Sequence, residues 1–373
     1  MMTELPERIQ KLSAGLRHLA RVFTAEQLHP DPATGRFCLE QLRRLASVDE
    51  LEAKVAGELA HGPWEPLGRL LIIISENDAL GTLQGFAAAY LTGNAMRVKA
   101  AFSAPLLLAL RDVLGLPPDQ CDIASWSGRD TADEDLLGDA DAVLAAGSDA
   151  LIRRVRSLAP SRIRLVEFGP KLSVAAVGHN DGNDAALAGC VDALLRDVSL
   201  FRQDVCSSPG FIMADETVAE KLAARLEERL PSLPALPQHD RLRQYAKGEE
   251  LKLRHKLRLS GRVVLHPGNG WGLTVSRGIT PDLWLPKGFQ ICVGPLDELF
   301  SAARALWPGQ LQTLGVAGTV PPATGFSRIC PLGSMHERPL TAPHDGLFEL
   351  SALVKFVSDE CDASALSRPG RVS

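Results

Sequence analysis

The sequence predicts an α/β protein: a doubly wound parallel sheet, a second α/β region following it, and a helical segment in front. Three observations carry this. Near-continuous apolar runs such as Leu70–Ile74 alternate with helical stretches, the pattern of strands buried on both faces. Apolar residues at helical spacing run through the first 66 positions. The length, 373 residues, exceeds what one hydrophobic core ordinarily organises, so two or three domains are expected.

In chain order, Leu12, Leu16, Leu19 and Val22 mark a first amphipathic helix, and Leu42, Leu45, Leu51 and Val55 continue the helical pattern. His61-Gly62-Pro63 closes this segment, residues 1–66. Residues 67–168 then read as strand 70–74, helix 79–91, strand 95–100, helix 104–114, a short strand at 121–125, strand 141–145, helix 149–158 and strand 162–167. A second domain, 169–345, opens with strand Leu172–Val177. It continues through a Gly/Asn/Asp turn at 178–184, helix 184–197, strand 211–214, helix 216–230, a Pro-rich linker at 231–238 and a basic helix at 241–258. Residues 261–333 alternate strand-like and turn-rich pieces. The tail, 346–373, carries an apolar helix at Leu347–Val357 that is expected to pack back on the first sheet domain.

Composition narrows the function. Hydrophobic residues make up 45% and charged residues 23%, values that exclude a disordered or fibrous chain. A net charge of −5 supplies no field to hold nucleic acid or an anionic membrane, so neither is expected as a partner. Seven cysteines stand singly, with no C-x-x-C pair, which argues for free thiols in a reducing compartment and against a clustered metal site. The N-terminal residues mix acid and base without an apolar core, and no apolar run approaches the roughly 20 residues that span a bilayer. A cytoplasmic location is expected.

A doubly wound sheet binds ligands at the carboxyl ends of its strands. Those ends carry Ser75-Glu76-Asn77, Gly93-Asn94 with Lys99, Ala146-Gly147-Ser148, and Glu167-Phe168-Gly169-Pro170-Lys171. A fifth segment, Gln203-Asp204-Val205-Cys206-Ser207-Ser208-Pro209, follows in the second domain. No G-x-G-x-x-G follows any strand of the first domain, and the glycines at 268–272 lead into a strand, so they read as a turn. The turn at 178–184 lacks the ordered acidic spacing of a calcium loop. Cys206 sits in a polar turn where a thiol is reachable, whereas cysteines such as Cys190 and Cys292 lie in apolar contexts. Asn77 ends a buried strand, where its amide suits a developing oxyanion as well as a simple turn. Glu167 suits proton transfer or a structural ion pair. Gly147-Ser148 opens a helix whose amides suit a pyrophosphate, with a plain N-cap serine as the alternative.

Taken together and in order, these five segments resemble the aldehyde dehydrogenase superfamily. Within it, Cys206-Ser207-Ser208-Pro209, Phe168-Gly169-Pro170-Lys171 and the ending His344-Asp345-Gly346-Leu347 resemble the acyl-CoA reductase family. The resemblance, from about residue 66 to 357, implies an aldehyde dehydrogenase-like fold whose first sheet domain takes a nicotinamide cofactor. It also implies reduction of an acyl thioester to an aldehyde through an S-acyl intermediate on Cys206, with Asn77 and Glu167 as catalytic partners. Lys99, Ser75, Gly147, Ser148, Phe102 and Ser103 are the implied cofactor residues, Lys99 reaching the adenosine ribose. Where relatives that prefer NADH carry a carboxylate, this chain has Phe102 and Ser103, which favours NADPH over NADH. The basic face formed by Arg241, Arg243, Lys247, Lys252, Arg254, Lys256 and Arg258 is either solvated or meets coenzyme A phosphates or an acyl carrier protein. Two rivals stand beside this reading: an aldehyde dehydrogenase running oxidatively, and an inactive scaffold of a biosynthetic complex. The acyl chain, the choice of donor and the question of a homo-oligomer are left open by the sequence.

Overall fold

In the computed structural model, residues 4–76, 79–125, 137–179, 184–258 and 261–358 are described. The chain divides into two units, one formed by residues up to Gly169 together with those from Leu340 onward, the other by Pro170–Pro339. Both units are built on largely parallel sheets, and a helical segment precedes the first.

The first unit begins with α1 (Leu5–Val22), α2 (Ala25–Leu28), α3 (Pro32–Leu45) and α4 (Val48–Leu59). The apolar pattern breaks between α3 and α4 because Ser47 caps the new helix, accepting the Glu50 amide at 3.3 Å. Strand β1 (Trp64–Pro66) leads into β2 (Arg69–Ile74), α5 (Ala79–Thr92), β3 (Ala95–Lys99), α6 (Ala104–Leu114), β4 (Cys121–Ala124), β5 (Ala142–Ala146), α7 (Asp149–Leu158) and β6 (Arg164–Phe168). The sheet order is β4-β3-β2-β5-β6 and every pair is parallel. The chain steps outward from β2 to β4, then restarts with β5 on the other side of β2. That reversal makes the carboxyl ends of β2 and β5 the topological switch point. The N-terminal helices join this unit: α1 packs on α5 and α6, and a Cβ at Gly15 would come within 2.8 Å of Leu110.

The second unit holds β7 (Leu172–Val177), α8 (Asp184–Ser199), β8 (Pro209–Ala214), α9 (Glu216–Arg229), α10 (Gln238–Arg258), β9 (Gly261–Leu265), β10 (Gly272–Arg277), β11 (Phe289–Val293), α11 (Leu296–Leu306), β12 (Leu311–Ala317) and β13 (Arg328–Pro331). Its sheet order is β13-β12-β7-β8-β11-β10-β9, parallel except where β9 runs against β10. Alternate residues of the central strands feed opposite cores. Ala175, Val177, Ile212 and Ala214 join the α8 and α9 side, while Val174, Ala176, Phe211 and Met213 join the α11 side. The glycines at 268–272 form a turn into β10, as their lack of a following helix implies. Most of the 178–184 turn lies outside the described residues.

After Pro339 the chain returns to the first unit through α12 (Glu349–Ala352) and β14 (Val354–Phe356). The single apolar helix expected over Leu347–Val357 is therefore a correction: Glu349–Ala352 are helical, and Val354–Phe356 pair antiparallel with β1, Trp64 against Phe356. Val354, Phe356 and Val357 favour extended backbone, and β1 offers them an edge to complete. A buried ion cluster ties the return down. Lys54, 4% exposed, donates to Glu58 at 2.5 Å, to Glu349 at 3.0 Å and to the Leu340 carbonyl at 3.2 Å. Glu58 in turn accepts the Leu350 amide at 2.6 Å. Buried charges persist only when paired this fully, so the cluster gives the return one register. Among the described residues no helix is long and apolar enough to cross a membrane.

Candidate active site

The loop before β8 has unusual backbone. Phe201, Arg202 and Gln203 adopt φ of 55°, 51° and 58°, three consecutive non-glycine residues in the left-handed region. Such a turn persists only if its surroundings over-determine it. Gln203 supplies much of that: its Nε2 donates to the Pro209 carbonyl at 2.8 Å and the Gly288 carbonyl at 3.0 Å, and its Oε1 accepts the Gly288 amide at 2.7 Å. Lys287 adds a bond to the Arg202 carbonyl at 2.6 Å and an ion pair with Asp204. The turn presents Cys206. Of the six described cysteines Cys206 alone is exposed, and burial pushes the thiols of Cys121 and Cys292 up to about 12. Those buried thiols stay protonated and unreactive at neutral pH.

Beneath Cys206 lies a polar floor built from β7 and β12. The Gln312 side chain, 7% exposed, donates from Nε2 to Cys206 Sγ at 3.3 Å. The Ser173 hydroxyl donates to the Cys206 carbonyl at 2.6 Å and accepts the Thr313 amide at 3.3 Å. On the other flank, Ser207 Oγ is 2.9 Å from His336 Nδ1, while His336 Nε2 is 2.9 Å from the Asp197 carbonyl. A carbonyl can only accept, so Nε2 carries the proton and Nδ1 accepts from Ser207. Loss of hydration pushes His336 down to about 4, leaving it neutral at physiological pH. The Asp197 carboxyl, which accepts the Gly333 amide at 2.6 Å and the Met335 amide at 3.3 Å, is pushed up to about 6 by burial.

In the first unit, Ser75, Lys99, Gly147, Ser148 and Glu167 all lie at the carboxyl edge of the sheet. Ile74 pairs with Ala146, Ala146 with Phe168, and Ile73 with Lys99, so these ends are level. Gly147 (φ 155°) stands at the switch point, where a Cβ would fall 2.4 Å from Ser75 Oγ. Ser148 is the N-cap of α7, accepting the Leu151 amide at 3.3 Å. Glu167 is held by Arg156 of α7 through contacts of 2.8, 2.9 and 2.6 Å, and that pairing raises the guanidinium above its ordinary basicity. Asn77 lies outside the described residues. Phe168 stacks on His344 at 4.5 Å, and His344 Nδ1 lies 3.0 Å from Glu349, so two of the sequence motifs meet here structurally. Asn94 is also structural: its amide donates to the Leu353 carbonyl at 2.9 Å and accepts from Gly68 at 3.1 Å.

Whether this edge suits a dinucleotide can be tested on its own atoms. The amides of Ala101, Phe102 and Ser103, at the start of α6, converge on the Glu76 carboxylate at 2.7, 2.9 and 3.1 Å, and the Ser103 hydroxyl joins them. An anion therefore fits beyond Lys99, and at the switch point glycine at 147 admits the Ser75 hydroxyl and Leu151 where a Cβ would collide with them. Among the described residues no cluster of His, Cys, Asp and Glu is arranged to hold a metal ion. The basic helix α10 spends several cations on its own carboxylates: Lys247 and Arg254 pair with Glu250 at 2.9 and 2.5 Å, and Lys252 with Glu249 at 2.7 Å. Sequence reasoning missed Gln312, Ser173 and His336. The one available signal was Gln312 itself, a polar side chain inside the apolar run Leu311–Ala317.

Comparison with known proteins follows the same lines. The family model described as Acyl-CoA reductase (LuxC) matches residues 14–356. The long-chain acyl-protein thioester reductase of Vibrio harveyi is 26% identical over 318 residues, covering 79% of this chain and 65% of that protein. The match thus spans just under two thirds of that relative's length. Among solved structures, lactaldehyde dehydrogenase from Escherichia coli is similar with a TM-score of 0.66 at 17% identity, over 94% of this chain and 85% of that one. Glyceraldehyde-3-phosphate dehydrogenase GapN from Methanocaldococcus jannaschii, complexed with NADP, gives 0.64 at 14% identity, over 95% and 88%.

His336 and Asp197 make opposite contributions to stability as pH changes. His336 is depressed from 6.5 to about 4, so its contribution is present above 6.5 and lost as pH falls through 4. Asp197 is raised from 3.8 to about 6, so its contribution is present below 3.8 and lost as pH rises through 6. The two offset over the same window. His336→Gln removes only the first, so the stability deficit of this variant relative to wild type should shrink from neutral pH toward pH 4. Urea unfolding at both ends of that range measures it. A deficit independent of pH would contradict the assignment.

Proposed function

The chain belongs to the LuxC acyl-CoA reductase family, and from that premise we propose that it reduces an acyl thioester to an aldehyde through an S-acyl intermediate on Cys206, using NADPH. The observation that carries the proposal is the one exposed thiol among the described cysteines, held on a pinned left-handed turn with a hydrogen-bond donor at its sulfur. A thiolate is the best nucleophile the side chains offer toward a thioester carbonyl. Cys206 attacks that carbonyl, the C–S bond of the donor breaks, and the donor thiolate leaves with its electron pair and takes up a proton. A reduced nicotinamide, when bound, supplies the hydride that the acyl group needs. Once the acyl carbon is reduced, the bond to Cys206 Sγ breaks, the electron pair returns to sulfur, and the aldehyde departs.

For the cofactor, Lys99, Ser75, Gly147, Ser148, Phe102 and Ser103 are the residues that would hold it. The Glu76 carboxylate on the amides of residues 101–103 stands in for the anion such a site would take, and a ribose 2′-phosphate suits those amides and the Ser103 hydroxyl. The resident Glu76 carboxylate opposes a 2′-phosphate there, so NADPH binding requires Glu76 to turn away from these amides. Asn77 is proposed as an oxyanion donor. Glu167 is proposed to manage protons, and would have to leave Arg156 to do so. The acyl donor is an acyl-CoA or an acyl carrier protein; the Vibrio harveyi relative's name, an acyl-protein thioester reductase, supports this class.

Two experiments test the reading. Incubation with an acyl-CoA and no nicotinamide should add one acyl mass to the intact protein, on the peptide containing Cys206. Cys206→Ala should abolish the adduct and the aldehyde, while Cys190→Ala should keep both. Aldehyde formed with Ala at position 206 would exclude the covalent route. In fluorescence titrations NADPH should bind more tightly than NADH, and Glu76→Gln should tighten NADPH several-fold by removing a competing anion while leaving NADH nearly unchanged. Tighter binding of NADH to wild type would overturn the cofactor choice.

A further inference from the structure

The side chain of Gln312 is the least expected polar group in the second unit. It sits on β12 between Leu311 and Thr313, both buried, and is itself 7% exposed. A buried primary amide is costly unless its hydrogens are used. Here Nε2 lies 3.3 Å from Cys206 Sγ. The sulfur's own backbone is fixed from the same floor, because Ser173 donates to the Cys206 carbonyl at 2.6 Å and is in turn bound by the Thr313 amide at 3.3 Å. Gln312 is fixed on a strand of the sheet beside β7, and its amide meets the thiol presented by the pinned turn before β8.

We propose that Gln312 is a catalytic residue whose Nε2–H donates to the Cys206 sulfur whenever that sulfur carries negative charge. This deepens the proposed function and rests on Cys206 being the acylated residue. The chemistry follows from how the sulfur changes. A thiolate accepts strongly, whereas a sulfur bonded to two carbons accepts weakly. The contact is therefore strong whenever the free sulfur is a thiolate, weak once the acyl group is attached, and strong again when the C–S bond of the reduced adduct breaks. In that last step the electron pair passes to sulfur, the adduct's hydroxyl proton leaves to solvent, and the carbonyl of the aldehyde forms. Gln312 thus helps sulfur first as nucleophile and later as leaving group. An amide has no titration of its own in the working range, so it does this without adding a pH limit. A cationic side chain here would instead hold the sulfur as a stable ion pair.

The test is the pH profile of Cys206 alkylation by iodoacetamide in the full chain, without cofactor or thioester, with Cys206→Ala as the blank. Gln312→Leu removes the donor. Gln312→Glu, nearly isosteric, replaces it with a carboxylate and keeps the test open should the leucine variant not fold. The midpoint should rise in Gln312→Leu, and the labelling rate at pH 7 should fall about tenfold for every pH unit by which the midpoint rises. It should rise further in Gln312→Glu. Folded variants whose midpoints match wild type would overturn the role of Gln312. Acyl loading of wild type separates the two claims. If wild type loads an acyl group on Cys206 while the midpoints do not move, only this inference fails. If the midpoints move but wild type never loads, the contact stands and the function reading fails.

Discussion

Three successive residues in the left-handed region, each costing roughly 1–2 kcal/mol, are the constraint around which the second unit is arranged. Nothing local to Phe201, Arg202 or Gln203 favours that backbone. It is held by bonds from Gln203 to both sides of the turn and by Lys287 from the segment entering β11. The consequence is a thiol at the surface in a chain whose other described cysteines are buried. The Ser173–Gln312 floor and the Ser207–His336 contact then constrain Cys206 and its neighbour from two directions. Strain of this kind is the cost of presenting a small side chain away from the core.

The first unit solves a different problem by topology. A sheet that reverses between β2 and β5 leaves level carboxyl ends at Ser75 and Gly147, and glycine at 147 lets the two loops pack closely. The start of α6 gathers amides on an anion, at present the Glu76 carboxylate.

Much of this was legible in the sequence, and what was not has physical reasons. Buried parallel strands are nearly uniform in apolar character, so β2, β5 and β7 stand out, and the ordered segments at their ends pointed to the family. The switch from helix to strand at Val354 was hidden because a short apolar run fits both until a partner edge such as β1 appears. The burial of Lys54 and Glu58 has no local sequence signal, since the third partner, Glu349, is supplied by chain nearly three hundred residues away. Glu167 posed the same difficulty: its arginine lies on α7, and spacing alone cannot distinguish a proton carrier from an ion pair. Gln312 meets Cys206 across more than a hundred residues of chain, a contact no local motif encodes.

If the acyl group on Cys206 is the species that is reduced, an isolated acyl-enzyme must yield aldehyde by itself. The most direct test is a single turnover from isolated acyl-enzyme, freed of excess thioester and mixed with NADPH carrying deuterium at the transferring C4 position. One aldehyde should form per acylated Cys206, with the deuterium on the aldehyde carbon. An acyl-enzyme that stays loaded, with labelled aldehyde appearing only after fresh thioester is added, would contradict it.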